Sequence, residues 1–170
     1  DETINWFPEV SQAKQQGERG VIALYPTPGL SLRLQSTTAS EVRAMRVIPG
    51  GSILLAVIGD KLKSITTGFV ETTVGTLTTN NGACSITDNG TSAYITDYQN
   101  RYTYVWSTGV FAQIAAGDGA FNGAGQADEV DNFIIYTNPG TNQWGCTNVG
   151  STVSGALNLG TKLGSSDNLV

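Results

Sequence analysis

The side chains in this sequence with the clearest chemical potential are five aspartates between residues 88 and 131: Asp88, Asp97, Asp118, Asp128 and Asp131. Carboxylate oxygens bind calcium, and two carboxylates held about 5–10 Å apart can hydrolyse a glycosidic bond. The five lack the alternating D-x-D-x-D-G register of a calcium loop, and their spacing singles out no catalytic pair. We therefore expect no metal ion, no cofactor and no enzymatic activity, with a calcium site and a glycosidase kept as alternatives.

The histidine and cysteine content narrows the chemistry further. The chain contains no His, which excludes a Ser-His-Asp triad, a Cys-His dyad and any His-containing zinc site built from this chain alone. Cys84 and Cys146 are too few for a disulfide framework. We predict two buried thiols rather than a disulfide bond.

Aromatic residues form the second chemical feature. Tyr102, Tyr104 and Trp106 alternate along one predicted strand, and side chains two apart share a strand face. If that face pointed outward, the three would form a patch for a partner subunit, so they are interface candidates. Core packing is the favoured interpretation, and a carbohydrate-stacking platform is a further alternative.

The composition favours an all-β fold. The chain has 170 residues, of which 39% are hydrophobic, 14% are charged and 21 are glycines, a balance typical of short strands and many turns. No apolar run approaches the roughly 18 residues of a membrane span, so we expect no membrane insertion. Nine basic residues are scattered among fourteen acidic ones, for a net charge of -5, which argues against tight nucleic-acid binding.

The elements that would position these residues repeat along the chain. Residues 42–79 predict four antiparallel strands, with a hairpin turn at Gly50-Gly51 and a second strand buried on both faces. Residues 83–115 repeat the pattern with Asn89-Gly90 as the first turn, and residues 127–165 restate it less regularly. The turn also explains the glycosylation sequon that begins at Asn89. The pattern predicts about three four-stranded blades of an incomplete β-propeller.

Residues 1–40 are predicted to be an N-terminal arm with lead-in strands. Residues 21–25 form a clear strand pattern, and residues 30–34 alternate strictly, which predicts a half-buried strand. Pro8 marks residues 4–10 as an edge or extended arm. This arm either packs on its own fold or adds to a neighbouring subunit, which makes its apolar side chains interface candidates: Ile4, Trp6, Phe7 and Val10.

Three blades would leave two exposed ends. We expect either that the chain is a fragment of a longer protein, which we favour, or that another chain supplies the remainder of the propeller. Residues 165–170 have the pattern of a turn and the opening of a fourth repeat.

Several short segments carry a resemblance to a known family. Residues 4–10 (INWFPEV) followed by residues 23–30 (ALYPTPGL) resemble the N-terminal signature of the phage stabilisation proteins, the tail-hub or nozzle components of short-tailed bacteriophages, in which an N-x-[YF]-P-E arm precedes a TPG turn. The similarity continues through residues 42–62, 85–90, 130–142 and 166–170, and so spans nearly the whole chain.

The resemblance implies a structural protein of the virion tail. It implies a β-propeller-based subunit of several hundred residues, a homo-oligomeric ring, suggested to be a hexamer, and contacts with the portal-adaptor and other tail proteins. Such a ring, assembled in the bacterial host cytoplasm, would close the DNA exit channel and retain the packaged genome until ejection, with at most weak contact between DNA and an acidic lumen. The alternative is a propeller-type module that binds glycans or proteins without catalysis.

Overall fold

The structure is a computed structural model that describes residues 6–10, 22–26, 29–119, 121–155 and 158–161. Every regular element in these ranges is a β-strand, so the predicted all-β class is confirmed. The chain divides into two compact units, Asp1–Gln35 and Ser36–Val170.

The first unit contains a two-stranded antiparallel sheet. Its strands are β1 (Trp6–Val10) and β2 (Ile22–Pro26), with Pro8 opposite Leu24. In a pair of strands both members are edges, where a proline is tolerated because one side of each strand makes no ladder hydrogen bonds. Residues 29–35 form no strand, and Leu30 and Leu32 are exposed. The predicted half-buried strand over residues 30–34 is therefore wrong, because alternation alone supplies no partner strand.

Three four-stranded antiparallel sheets make up the described part of the second unit, and each follows chain order. Sheet 1 contains β3 (Val42–Val47), β4 (Ile53–Ile58), β5 (Lys61–Thr66) and β6 (Glu71–Thr76). Sheet 2 contains β7 (Ser85–Asp88), β8 (Ser92–Thr96), β9 (Arg101–Val105) and β10 (Val110–Gln113). Sheet 3 contains β11 (Ala127–Val130), β12 (Phe133–Thr137), β13 (Gln143–Cys146) and β14 (Leu159–Thr161).

The turns match the glycines that predicted them. Gly50 and Gly51 have φ of +89° and +68° in the β3–β4 turn, and Gly90 has φ of +82° in the β7–β8 turn. These angles lie in the left-handed region, which glycine enters without the Cβ clash of other residues. The Asn89 side chain accepts hydrogen bonds from the backbone amides of Thr91 and Ser92, so this segment forms the predicted turn.

The sheets stack through their first strands, with β3 beside β7 and β7 beside β11. Side chains from sheets 1 and 2 form one apolar cluster, whose buried members include Leu55, Leu62 and Ile95. A smaller cluster between sheets 2 and 3 includes Ile134 and Tyr136. This is the propeller-like stacking that the repeats predict, and the described residues contain no closed propeller.

Two sheet faces have no sheet stacked on them within the described chain. Leu55 and Val57 contact sheet 2, so their neighbours Leu54 and Ala56 lie on the opposite side, here called the outer face of sheet 1. Ala127 contacts sheet 2, so Asp128 and Val130 follow by alternation onto the outer face of sheet 3.

Candidate functional site: the stacked sheets and their outer faces

The aromatic residues that were interface candidates on β9 lie in the contact between sheets 1 and 2. Tyr102 is 1% exposed and Tyr104 is 5% exposed, both in the shared apolar cluster, and Trp106 is half-buried against it. The Tyr102 ring stacks on Phe111 with 5.4 Å between centroids. The prediction that the three side chains share one strand face is confirmed. The interface prediction is wrong for Tyr102 and Tyr104, because a partner subunit cannot reach them there.

The Tyr102 hydroxyl belongs to a polar network that joins the two sheets. It donates to Asp97 Oδ2 at 2.8 Å and accepts from the Thr78 backbone amide at 3.0 Å. Buried Asp97 also accepts from Thr79 Oγ1 at 3.0 Å and from the Asn100 amide at 2.7 Å. Desolvation by burial raises the pKa of Tyr102. Asp97 therefore fixes the loop after sheet 1 to the β8–β9 turn, and it is not a free carboxylate for chemistry.

Arg43 extends this network into sheet 1. It lies at a β-bulge of β3, and its guanidinium donates to the carbonyls of Gly59, Thr79 and Gly82 at 2.7–2.8 Å. A fourth hydrogen bond reaches Thr79 Oγ1 at 2.8 Å. The planar guanidinium suits this role, because its fixed donors reach several acceptors at once.

An ion pair links the first strands of sheets 1 and 2. Arg46 Nε lies 2.5 Å from Asp88 Oδ2, and the Asp88 side chain is 6% exposed. The other Asp88 oxygen accepts from the Gly90 amide at 3.0 Å, which ties the pair to the β7–β8 turn. Both Asp88 oxygens thus have structural partners.

Arg101 occupies the contact between sheets 2 and 3 and is almost fully buried. Its guanidinium donates to three backbone carbonyls, those of Asp118, Phe121 and Asn122. It also donates to the Tyr94 hydroxyl at 3.2 Å and lies 4.6 Å from the centroid of the Tyr136 ring. Oriented carbonyls and an aromatic face replace water around this buried charge.

A second buried ion pair lies on the outer face of sheet 1. Lys63 Nζ and Glu71 Oε1 are 2.8 Å apart, with side chains 4% and 5% exposed. Thr37 Oγ1 donates to Glu71 at 2.7 Å, so residues just before β3 pack over this pair. The hydrogen bond from Lys63, aided by Thr37, lowers the pKa of Glu71 to about 2.

The remaining aspartates also have local roles. Asp118 Oδ1 accepts from the Ser154 amide at 2.6 Å, and Asp128 Oδ1 accepts from the next backbone amide at 2.9 Å. Asp131, at φ +51°, forms part of the β11–β12 turn. Among the described residues, no three acidic or Cys side chains come together as a metal site would require.

Both cysteines are free and half-buried, so the thiol prediction is confirmed and the prediction of full burial is not. Desolvation raises the pKa of Cys84 to about 11, which leaves its thiol protonated at neutral pH.

A groove of about 560 Å³ runs beside the contact between sheets 2 and 3. Its lining combines Thr103 and Asp118 with the apolar side chains of Ile114 and Val153. The Thr103 hydroxyl is buried without a hydrogen-bond partner in the described part of the chain. The groove has no aromatic platform, so it provides no stacking surface for a sugar ring.

The outer faces carry part of the exposed apolar surface of the stacked sheets. On sheet 1, Met45 and Val47 of β3 are exposed beside half-buried Leu54. On sheet 3, Val130 and Trp144 are exposed beside half-buried Ile135. Contiguous exposed apolar patches are typical of protein contact sites.

The predicted N-terminal interface residues are described only in part. Ile4 lies outside the described residues. Trp6, Phe7 and Val10 belong to β1, for which the structure describes the backbone pairing, opposite Pro26, Tyr25 and Ile22 respectively. Their role in subunit contact stays a prediction.

No protein-family model and no curated protein matches this chain. Among the described residues, no helix is long and apolar enough to cross a membrane.

The sequence analysis missed the buried cations. Lys63 and Arg101 lie on predicted strands, and their charge suggested exposure, but both are buried. The available signal for Lys63 was its alternation with Leu62 and Ser64, which places it on the face opposite the core side chain. Nothing comparable identified the carbonyls that surround Arg101, because they come from a loop about 20 residues away.

Proposed function

We propose that this chain is a structural protein of a bacteriophage tail hub or nozzle, which acts by assembly and not by catalysis. The observation that carries the proposal is the difference between the contacts that join the sheets and the outer faces of sheets 1 and 3. The buried charged side chains at the sheet contacts, Asp88, Asp97 and Arg101, are engaged within the chain, whereas the outer faces of sheets 1 and 3 present exposed apolar side chains. Such faces suit subunit packing.

The resemblance in residues 4–10 and 23–30 gives the proposal its biological setting. A homo-oligomeric ring, with six copies suggested by the family, would contact the portal-adaptor and other tail proteins at the virion vertex. The ring would close the DNA exit channel by tight packing and retain the genome until ejection. Assembly would take place in the host cytoplasm.

The net charge bears on how such a ring would treat DNA. With fourteen acidic and nine basic residues, the chain offers little for phosphate groups to bind. An acidic lumen would hold DNA weakly and let it slide during ejection. A strongly positive lumen in an assembled ring would contradict this part of the proposal.

Labelling of virions tests the proposed function. Antibodies raised against the purified chain should bind the tail vertex of virions produced from the genome that encodes it, and tryptic peptides of the chain should be found in gradient-purified particles. Absence of the chain from intact virions would refute a structural role in the tail.

The alternative is a binding module for glycans or proteins, for which the groove beside Thr103 and Asp118 is the candidate site, with polar groups and no aromatic platform. Screening the chain against a glycan array separates the two functions. Saturable binding that Asp118→Asn weakens, together with absence from virions, would support the module.

A further inference from the structure

The chain contains three Asn-Gly pairs, at residues 81–82, 89–90 and 122–123. In such a pair the glycine amide nitrogen can attack the side-chain carbonyl carbon of the asparagine, because glycine has no side chain to block the approach. The attack closes a succinimide ring and releases ammonia. The peptide unit between the two residues must rotate and its N–H must lose a proton, so contacts that hold this unit should slow the reaction.

The pair Asn89–Gly90 is held on both reacting groups. The Gly90 amide, which would attack, donates to Asp88 Oδ1 at 3.0 Å, and the charge of this carboxylate disfavours loss of the amide proton. The Asn89 side chain donates to the Gly150 carbonyl at 3.2 Å and accepts from the Ser92 amide at 2.9 Å. Donors to the side-chain oxygen would polarise the carbonyl, but the attacking nitrogen becomes available only when this turn opens.

The pair Asn122–Gly123 is held through its backbone. The Asn122 carbonyl accepts from Nε of buried Arg101 at 3.0 Å, and the preceding Phe121 carbonyl accepts from the same guanidinium at 2.9 Å. Gly123 lies so close to the β8–β9 turn that a Cβ there would be 2.2 Å from the Tyr98 carbonyl oxygen. Rotation of this peptide unit would take an acceptor away from a buried charge, which is unfavourable.

The pair Asn81–Gly82 has neither restraint. Both residues are exposed in the connection between β6 and β7. Among the described residues, no hydrogen bond engages the Asn81 side chain, the Asn81 carbonyl or the Gly82 amide. Gly82 has φ of +81° and open space around it, since a Cβ there would meet nothing within 4 Å. The reacting groups can therefore meet without any opening of the fold.

We propose that Asn81 is a site of spontaneous deamidation in the folded protein, and that Asn89 and Asn122 are protected by their contacts. The Gly82 nitrogen bonds to Asn81 Cγ, and the side-chain nitrogen leaves as ammonia, which receives the amide proton through water. A water molecule then opens the succinimide at either of its carbonyls, giving aspartate or isoaspartate. This modification goes beyond the proposed function and would occur whether or not the chain belongs to a virion.

The modification would act on the segment that joins sheets 1 and 2. The Gly82 carbonyl accepts from Arg43 Nε at 2.7 Å, and the same guanidinium holds the carbonyls of Gly59 and Thr79. Isoaspartate adds one carbon atom to the main chain just before Gly82, which displaces its carbonyl from Arg43. Aspartate adds a charge at an exposed position and leaves the main chain unchanged. Isoaspartate should therefore weaken this part of the fold, and aspartate should not.

Peptide mapping by tandem mass spectrometry tests the proposal. The wild-type chain is incubated in mildly alkaline buffer at physiological temperature, with a parallel sample unfolded in guanidinium chloride. In the folded sample, the mass gain from replacing NH2 by OH should accumulate at Asn81 at least about tenfold faster than at Asn89 or Asn122, which react only after local opening. In the unfolded sample the three should react at similar rates, because each is followed by glycine.

Two variants serve as controls. Asn81→Gln should abolish the mass gain at this position, because glutamine would have to close a larger ring, and should leave the other two positions unchanged. Freshly prepared Asn81→Asp should keep the wild-type urea midpoint, as expected of an exposed substitution. The deamidated wild-type fraction, separated by ion exchange and containing mostly isoaspartate, should have a lower midpoint.

The outcomes separate the two parts of the proposal. A folded chain in which Asn81 stays intact, or in which Asn89 or Asn122 reacts as fast as Asn81, would overturn the assignment of the site. A deamidated fraction that unfolds at the wild-type midpoint would refute the effect through Arg43.

Discussion

Replacing Tyr102 by phenylalanine removes one hydroxyl from the contact between sheets 1 and 2 and leaves the ring stacked on Phe111. The lost hydroxyl donates to the Asp97 carboxylate at 2.8 Å and accepts from the Thr78 amide at 3.0 Å. A hydrogen bond to a charged group contributes about 1.5–3 kcal/mol, and a neutral one about 0.5–1.5 kcal/mol. Asp97 keeps three other donors, the hydroxyls of Thr78 and Thr79 and the Asn100 amide. We therefore expect Tyr102→Phe to lower the free energy of unfolding by about 2–4 kcal/mol.

Tyr104→Phe is a control on the same strand and the same face. Tyr104 packs in the same apolar cluster, and its hydroxyl has no hydrogen-bond partner among the described residues. Its loss should change the free energy of unfolding by less than about 0.5 kcal/mol. The difference between the two variants isolates the hydrogen bonds from the ring.

Urea unfolding followed by tryptophan fluorescence measures both variants. Tyr102→Phe should shift the midpoint without changing the slope, which reports surface exposed on unfolding. Equal midpoints for Tyr102→Phe and Tyr104→Phe would refute the reasoning that Asp97 and Tyr102 hold the two sheets together.

Three further substitutions, two of them with a matched control, test other parts of the structure by urea unfolding. Glu71→Gln should lower the free energy of unfolding by about 1–3 kcal/mol at pH 7. The control Asp60→Asn removes a carboxylate from a more exposed ion pair and should lower it by under about 1 kcal/mol. Folding lowers the pKa of Glu71 from 4.5 to about 2, so the stability that its carboxylate contributes is present above pH 5 and is lost as the pH falls to 2. The difference in unfolding free energy between the wild type and Glu71→Gln should therefore shrink at low pH. Arg101→Lys should lower the free energy of unfolding by about 2–4 kcal/mol, because a lysine ammonium group cannot donate to all three backbone carbonyls that the guanidinium contacts. An unchanged urea midpoint would contradict this role of Arg101. Gly75→Ala should cost about 1–3 kcal/mol because its Cβ would lie 2.5 Å from the Phe111 ring, while Gly117→Ala, in open space, should be neutral.

The strands were predictable where apolar alternation and glycine turns coincide. Residues 42–79 and 83–115 met both conditions, and the structure has four strands in each range. The third repeat was harder, because β14 has only three residues, Leu159–Thr161, in a glycine-rich segment without alternation. Residues 30–34 had the alternation without a partner strand, and they form no strand.

Side-chain contacts were less predictable than strands, because they depend on which segments meet across the stacked sheets. The hydrogen bond between Asp97 and Thr79 joins residues 18 positions apart, and the one between Arg43 and Gly82 joins residues 39 positions apart. Period two indicated that Tyr102 and Tyr104 share a face, and only the position of sheet 1 shows that this face is internal. The outer faces of sheets 1 and 3 could be identified only from the structure, which shows which side of each sheet contacts sheet 2.

The most direct test of the central claim, that this chain acts by assembly, is single-particle imaging of the purified chain by negative-stain electron microscopy. The account predicts symmetric particles of equal subunits around a central opening, with six copies as the resemblance suggests. Dispersed single chains at micromolar concentration, with no symmetric class averages, would contradict it.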